Sequence, residues 1–206
     1  MPSFHLNNDR LLEVTLQNEK VMALAGAMVA YHGTIKFEKA LLGGEGFFGA
    51  LKRKVANESF ELMITTGTGT VYFANQAREI TVIPLRNEKI FVESRSLLAL
   101  DATLKTNTVF AGLRGASSGQ GLFTTTVEGT GSVAILSFGN LLELEVSPNA
   151  PLFVDPDAFI GFMGQLTQEF VFDANWRTFV GQSSGESYQL KFSGTGVVFV
   201  QPSERK

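Results

Sequence analysis

The chain contains no cysteine. Disulfides, thiolate nucleophiles and cysteine-ligated metals are thereby excluded together. Histidine is nearly as scarce, with His5 and His32 the only two among 206 residues. Neither has a second histidine or a carboxylate cluster at ligand spacing, so no metal centre is expected. Any catalytic triad would need one of the same two, and no Gly-x-Ser-x-Gly elbow is present. The chain does not read as an enzyme, and no cofactor is expected.

Charge is also sparse. Only 18% of residues are charged, against roughly 25% in soluble domains. The 44% of hydrophobic residues excludes a disordered chain. Together these values point to a surface partly covered by a partner protein or by another copy of the chain. With a net charge of −3, no positive field draws the protein to nucleic acid. Long apolar runs are missing. Val21 to Ala30 is the longest and is interrupted by Gly26, whereas a membrane helix needs roughly 20 residues. Met1 to Leu12 carries neither an apolar signal core nor an arginine-rich transit pattern, so a cytoplasmic protein is expected.

What the chain does have is repetition, glycine and phenylalanine. Gly-Thr-Gly occurs three times, at Gly67 and Gly69, Gly129 and Gly131, and Gly194 and Gly196. Each copy precedes a β-branched or aromatic run: Val71-Tyr72-Phe73, Val133-Ala134-Ile135 and Val197-Val198-Phe199. Each also follows a similar approach, at Asn57-Glu58-Ser59-Phe60, Gly119-Gln120-Gly121-Leu122 and Gly185-Glu186-Ser187-Tyr188. These approaches read as turns that start a strand. A second block recurs as Asn18-Glu19-Lys20-Val21, Asn87-Glu88-Lys89-Ile90 and Asn149-Ala150-Pro151-Leu152.

Apolar residues come in short runs bounded by Gly, Asn, Pro or Ser, and Leu12, Val14 and Leu16 alternate in the period of a half-buried strand. The reading is an all-β chain of three tandem β-sandwich-like repeats, 10–76, 79–138 and 141–202, within one compact domain. About six short strands per repeat are expected, with the inner faces packed around a pseudo-threefold axis. The six Gly-Thr-Gly glycines read as structural turns or bulges between paired strands. At most two short helices are expected. One follows the glycine-rich stretch Gly43 to Gly49, and a weaker candidate spans Phe159 to Gln168.

Candidate sites are few. Gly44-x-Gly46-x-x-Gly49 matches a dinucleotide fingerprint in form, but its flanks do not read as strand–helix–strand, so a structural loop is expected. Phe47 and Phe48 beside Lys52, Arg53 and Lys54 make a small apolar, basic element suited to a membrane surface or a partner, or to sealing one end of the sheet. Glu58, Gln120 and Glu186 hold equivalent places and read as solvated turn residues rather than as a polar ligand or interface ring. Trp176, between Asn175 and Arg177, is either an interface anchor or a core plug.

Ala25 to Tyr31, Asn57 to Phe60, Gly67 to Ala74, Leu98-Ala99-Leu100-Asp101 and Phe199 to Ser203 resemble the altered-inheritance-of-mitochondria protein 24 family, also described as domain of unknown function 124. The resemblance covers nearly the whole chain and looks most like bacterial members. It implies a triplicated fold similar to the tryptophan RNA-binding attenuator protein, of the double-stranded β-helix type. It implies no reaction and supplies no catalytic residues. The function expected is a non-catalytic scaffold or interaction protein that self-associates; a membrane-surface or small-ligand binding module is the alternative.

Overall fold

In a computed structural model, residues 1–40, 61–110, 123–172 and 188–202 are described. Their structure is nearly all β and every pairing with a recorded register is antiparallel. Twelve strands run in order: β1 (Ser3–Asn8), β2 (Leu11–Leu24), β3 (Met28–Lys39), β4 (Leu62–Phe73), β5 (Glu79–Glu93), β6 (Leu97–Asp101), β7 (Lys105–Phe110), β8 (Phe123–Ser137), β9 (Leu142–Val146), β10 (Leu152–Val154), β11 (Phe159–Phe172) and β12 (Tyr188–Val200). A 3-10 turn, Ser94–Ser96, joins β5 to β6.

Two sequence expectations change. The helix considered over Phe159 to Gln168 is strand β11, paired with β12 along almost its whole length. Backbone pairing with a distant segment outweighs local helix propensity there, and Gly161 and Gly164 weaken that propensity further. The strands are also longer than short apolar runs suggested: β2, β5, β8 and β11 have 14 or 15 residues each. The reason is visible in β2. Leu12, Val14 and Leu16 are buried, and so are Val21 and Ala23, in one core cluster. The parity switches because Asn18, at φ 63°, is an extra residue in the pairing with β4, between Gln17 and Glu19. A bulge lets the strand continue while its side chains exchange faces, so broken alternation imitates a strand end.

The chain forms two compact units. The first comprises Met1–Glu88, Arg95–Lys105 and Gly129–Leu136. Its core gathers Leu12, Val14, Leu16, Val71, Phe73, Leu98 and Leu136, all at most 1% exposed. Strand β4 lies between β2 and β3, while β1 and β6 also pair with β2. The second unit comprises Lys89–Ser94, Thr106–Glu128 and Ser137–Lys206. Here β12 lies between β11 on one side and β9 and β10 on the other. Its core is aromatic. Phe159 and Phe192 are fully buried and stack at 5.5 Å, and Phe162 stacks on Phe91 at 4.4 Å. Offset stacks of this kind add to the stabilisation from burial alone.

The Gln201 side chain, 2% exposed, ties down the end of the second unit. Its carbonyl accepts from the Phe138 N–H at 3.0 Å, and its amide donates to the Asp157 carbonyl at 3.2 Å.

Candidate functional site

The Gly-Thr-Gly segments lie inside strands rather than at their ends, in β4, β8 and β12. The physical demand on those in β4 and β12 is close backbone approach. A Cβ at Gly67 or Gly69 would collide with the carbonyl oxygen of Thr34 or His32 on β3. Gly67 and Gly69 face Ile35 and Gly33 across the β3–β4 pair; Gly194 and Gly196 face Leu166 and Gly164 across β11–β12. The registers match residue for residue. At Gly129 and Gly131 the neighbours are instead Leu104 and Asp101, in a turn where the Asp101 carboxylate accepts from the Thr103 N–H at 3.0 Å and hydroxyl at 2.8 Å.

Asn18 and Asn87, both with left-handed backbones, share another detail. The Glu19 carboxylate accepts from the Gln17 N–H at 3.3 Å, and Glu88 accepts from Arg86 at 3.0 Å. Each glutamate thus ties down the residue before its left-handed asparagine. In two copies of the second block, then, a left-handed asparagine is followed by a glutamate that caps the residue before it, and at Asn18 that asparagine is a bulge. Asn87 donates its N–H to the Thr130 hydroxyl at 3.0 Å.

In the first unit the bulge opens a shallow concavity of about 440 Å³ across β2, β4 and β3. Lys20, Thr66 and Lys36 form one row across it, bordered by Glu19, Glu38 and Thr68. The charges are of both signs and the lysines are exposed, so nothing in it favours a ligand of one charge. Glu19 is also ion-paired with the Met1 amine. That hydrogen bond and charge hold the amine's pKa above its ordinary value, and the same hydrogen bond holds the Glu19 carboxyl below its own. Among the described residues, no group of three or more His, Asp or Glu could hold a metal ion, and no helix is long and apolar enough to cross a membrane.

The remaining surface feature is apolar. Strand β3 pairs only with β4 among the described residues, and ten of its twelve residues are exposed. Val29 is 61% exposed and Tyr31 48%, the tyrosine ring lying edge-on to Phe37 at 5.2 Å. Tyr31, Ile35 and Phe37 face the same side as Val71 and so carry the core face of the sheet outward to an open edge. In the second unit β9 pairs only with β12 among the described residues. Leu142 and Leu144, opposite the buried Val200 and Val198, remain 46% and 36% exposed. Phe153 on β10 is 51% exposed. Sequence reading missed both edges, because alternation marks a strand's apolar face and not whether a neighbour covers it.

Phe47, Phe48, Lys52, Arg53, Lys54 and Trp176 lie outside the described residues, as do Glu58, Gln120, Glu186 and the loop from Gly43 to Gly49.

The family model described as "Mitochondrial biogenesis AIM24" matches residues 4–203. A protein from Streptococcus pyogenes, solved by X-ray crystallography, is similar to the chain at 20% identity, with 99% of this chain and 94% of that one covered and a TM-score of 0.73. At that identity the likeness is one of fold. A comparison with curated proteins finds no match.

Proposed function

This chain belongs to the mitochondrial biogenesis AIM24 family, and we propose that it acts without catalysis, as a cytoplasmic scaffold that self-associates through its β surfaces. The observation that carries the reading is the pair of strands, β3 and β9, on which apolar core faces run out to exposed edges. An exposed edge presents unpaired backbone donors and acceptors beside hydrophobic side chains, which favours pairing with another strand. Soluble chains commonly blunt such edges with charge, proline or a bulge. Strand β3 has a register irregularity at Val29 and the charges Lys36, Glu38 and Lys39, yet Val29 and Tyr31 remain exposed.

Light scattering on the full chain over a micromolar concentration series tests the proposal. The mass should rise above that of one chain; a strict monomer throughout overturns it. Fractionation of the host cell checks the assignment to the cytoplasm, and recovery with membranes after a salt wash counts against it.

A further inference from the structure

Strand β9 reads Leu142-Glu143-Leu144-Glu145-Val146. Its leucines extend the core face, and its two glutamates lie on the other face, opposite Phe199 and Val197. Pairing β9 with a second β9 would set glutamate against glutamate, either Glu143 on itself or Glu143 on Glu145. Like charges directly opposite destabilise a strand pair. What β9 suits is an edge with apolar side chains on one face and cationic ones on the other. Strand β3 comes nearest to it, with Tyr31, Ile35 and Phe37 on its core side and, on its outer side, Lys36 beside Glu38.

We infer that self-association is head-to-tail: the open edge of β3 in one copy pairs antiparallel with the open edge of β9 in a second copy. The inference rests on the proposed scaffold role and names the partner and the two surfaces. One register satisfies both faces. It places Phe37 opposite Leu142, Lys36 opposite Glu143 and Ile35 opposite Leu144, so the apolar residues share one side and the lysine meets a carboxylate on the other. Residues directly opposite in an antiparallel pair lie on the same face, and opposite charges there are favourable. Pairing β3 with a second β3 about Phe37 would bring Lys36 against Glu38, but it would leave Leu142 and Leu144 uncovered. Because β3 and β9 are different surfaces, two copies joined by one such contact keep one free β9 edge and one free β3 edge between them, and these remaining edges can pair in the same way.

Sedimentation velocity on the full chain, over a concentration series, tests this with four samples beside the wild type: Lys36→Glu, Glu143→Lys, both changes in one chain, and an equal mixture of the two single variants. Both side chains are exposed, and circular dichroism checks that each variant keeps its β spectrum. Each single change should weaken association at least tenfold. Both the double variant and the mixture should recover it, since every contact again joins opposite charges. Recovery by mixing separates a lost contact from a misfolded chain. If Lys36→Glu weakens assembly and Glu143→Lys does not, or if neither matters in an assembling chain, the head-to-tail pairing is overturned while the scaffold reading stands. Failure of the double variant and of the mixture to recover overturns the pairing too. A wild-type monomer at every concentration overturns both readings.

Discussion

Replacing Gly67 by alanine separates two costs that a structural glycine can carry, because Gly26 offers a matched control. Both have positive φ, +134° at Gly67 and +83° at Gly26. A Cβ added at Gly26 meets nothing within 4 Å, so Gly26→Ala carries the backbone cost alone, about 1–2 kcal/mol. At Gly67 the added Cβ runs into the Thr34 carbonyl, a backbone group that cannot rotate away. Relief requires β3 and β4 to separate locally. Losing two of their hydrogen bonds costs about 1–3 kcal/mol more. Gly67→Ala should therefore destabilise by about 2–5 kcal/mol, and each kcal/mol lowers the melting midpoint by roughly 2–4 °C in a chain of this size. The assay is thermal and urea unfolding followed by the β-sheet circular dichroism band, with both variants beside the wild type. Equal midpoints for Gly26→Ala and Gly67→Ala would refute the argument from close strand approach.

Three further outcomes follow from the same structure. Deleting Asn18 removes the bulge, so Leu12, Val14 and Leu16 can no longer share a face with Val21 and Ala23; folding of the first unit should fail, read as loss of cooperative unfolding, whereas Asn18→Gly should change stability by only a few tenths of a kcal/mol. Phe192→Ala removes a fully buried ring stacked on Phe159 and should cost about 3–5 kcal/mol, with urea unfolding as the measure; an unchanged midpoint would contradict the aromatic core. The ion pair of Glu19 with the Met1 amine has a pH window. The lowered carboxyl gives stability that is complete above its ordinary 4.5 and lost as pH falls through the folded value. The raised amine gives stability that is complete below its ordinary 8.0 and lost as pH rises through the folded value. The small difference in melting midpoint between wild type and Glu19→Gln should be greatest between those two values and vanish at both extremes; a difference constant with pH would sink the assignment.

The all-β class was legible in the residues. The three Gly-Thr-Gly segments were visible too, but their reason was not: Gly67, Gly69, Gly194 and Gly196 answer the backbone of β3 or β11, and Gly129 and Gly131 answer Leu104 and Asp101, residues distant in the chain. Nothing in a one-dimensional pattern says that the Thr34 carbonyl passes over Gly67.

The amino-acid sequence by itself determined the class, because alternation, turn residues and the absence of cysteine and of helical periodicity are local properties. Tertiary structure alone decided the rest. It joined Leu12–Leu16 and Val21–Ala23 into one strand through a left-handed asparagine, and it made Phe159 to Gln168 a strand by supplying β12 as its partner. It also left Tyr31 and Leu142 exposed, on strands that among the described residues are paired on one side only. Burial is a relation between segments, so whether an apolar face ends in a core or in solvent depends on which strand lies beside it.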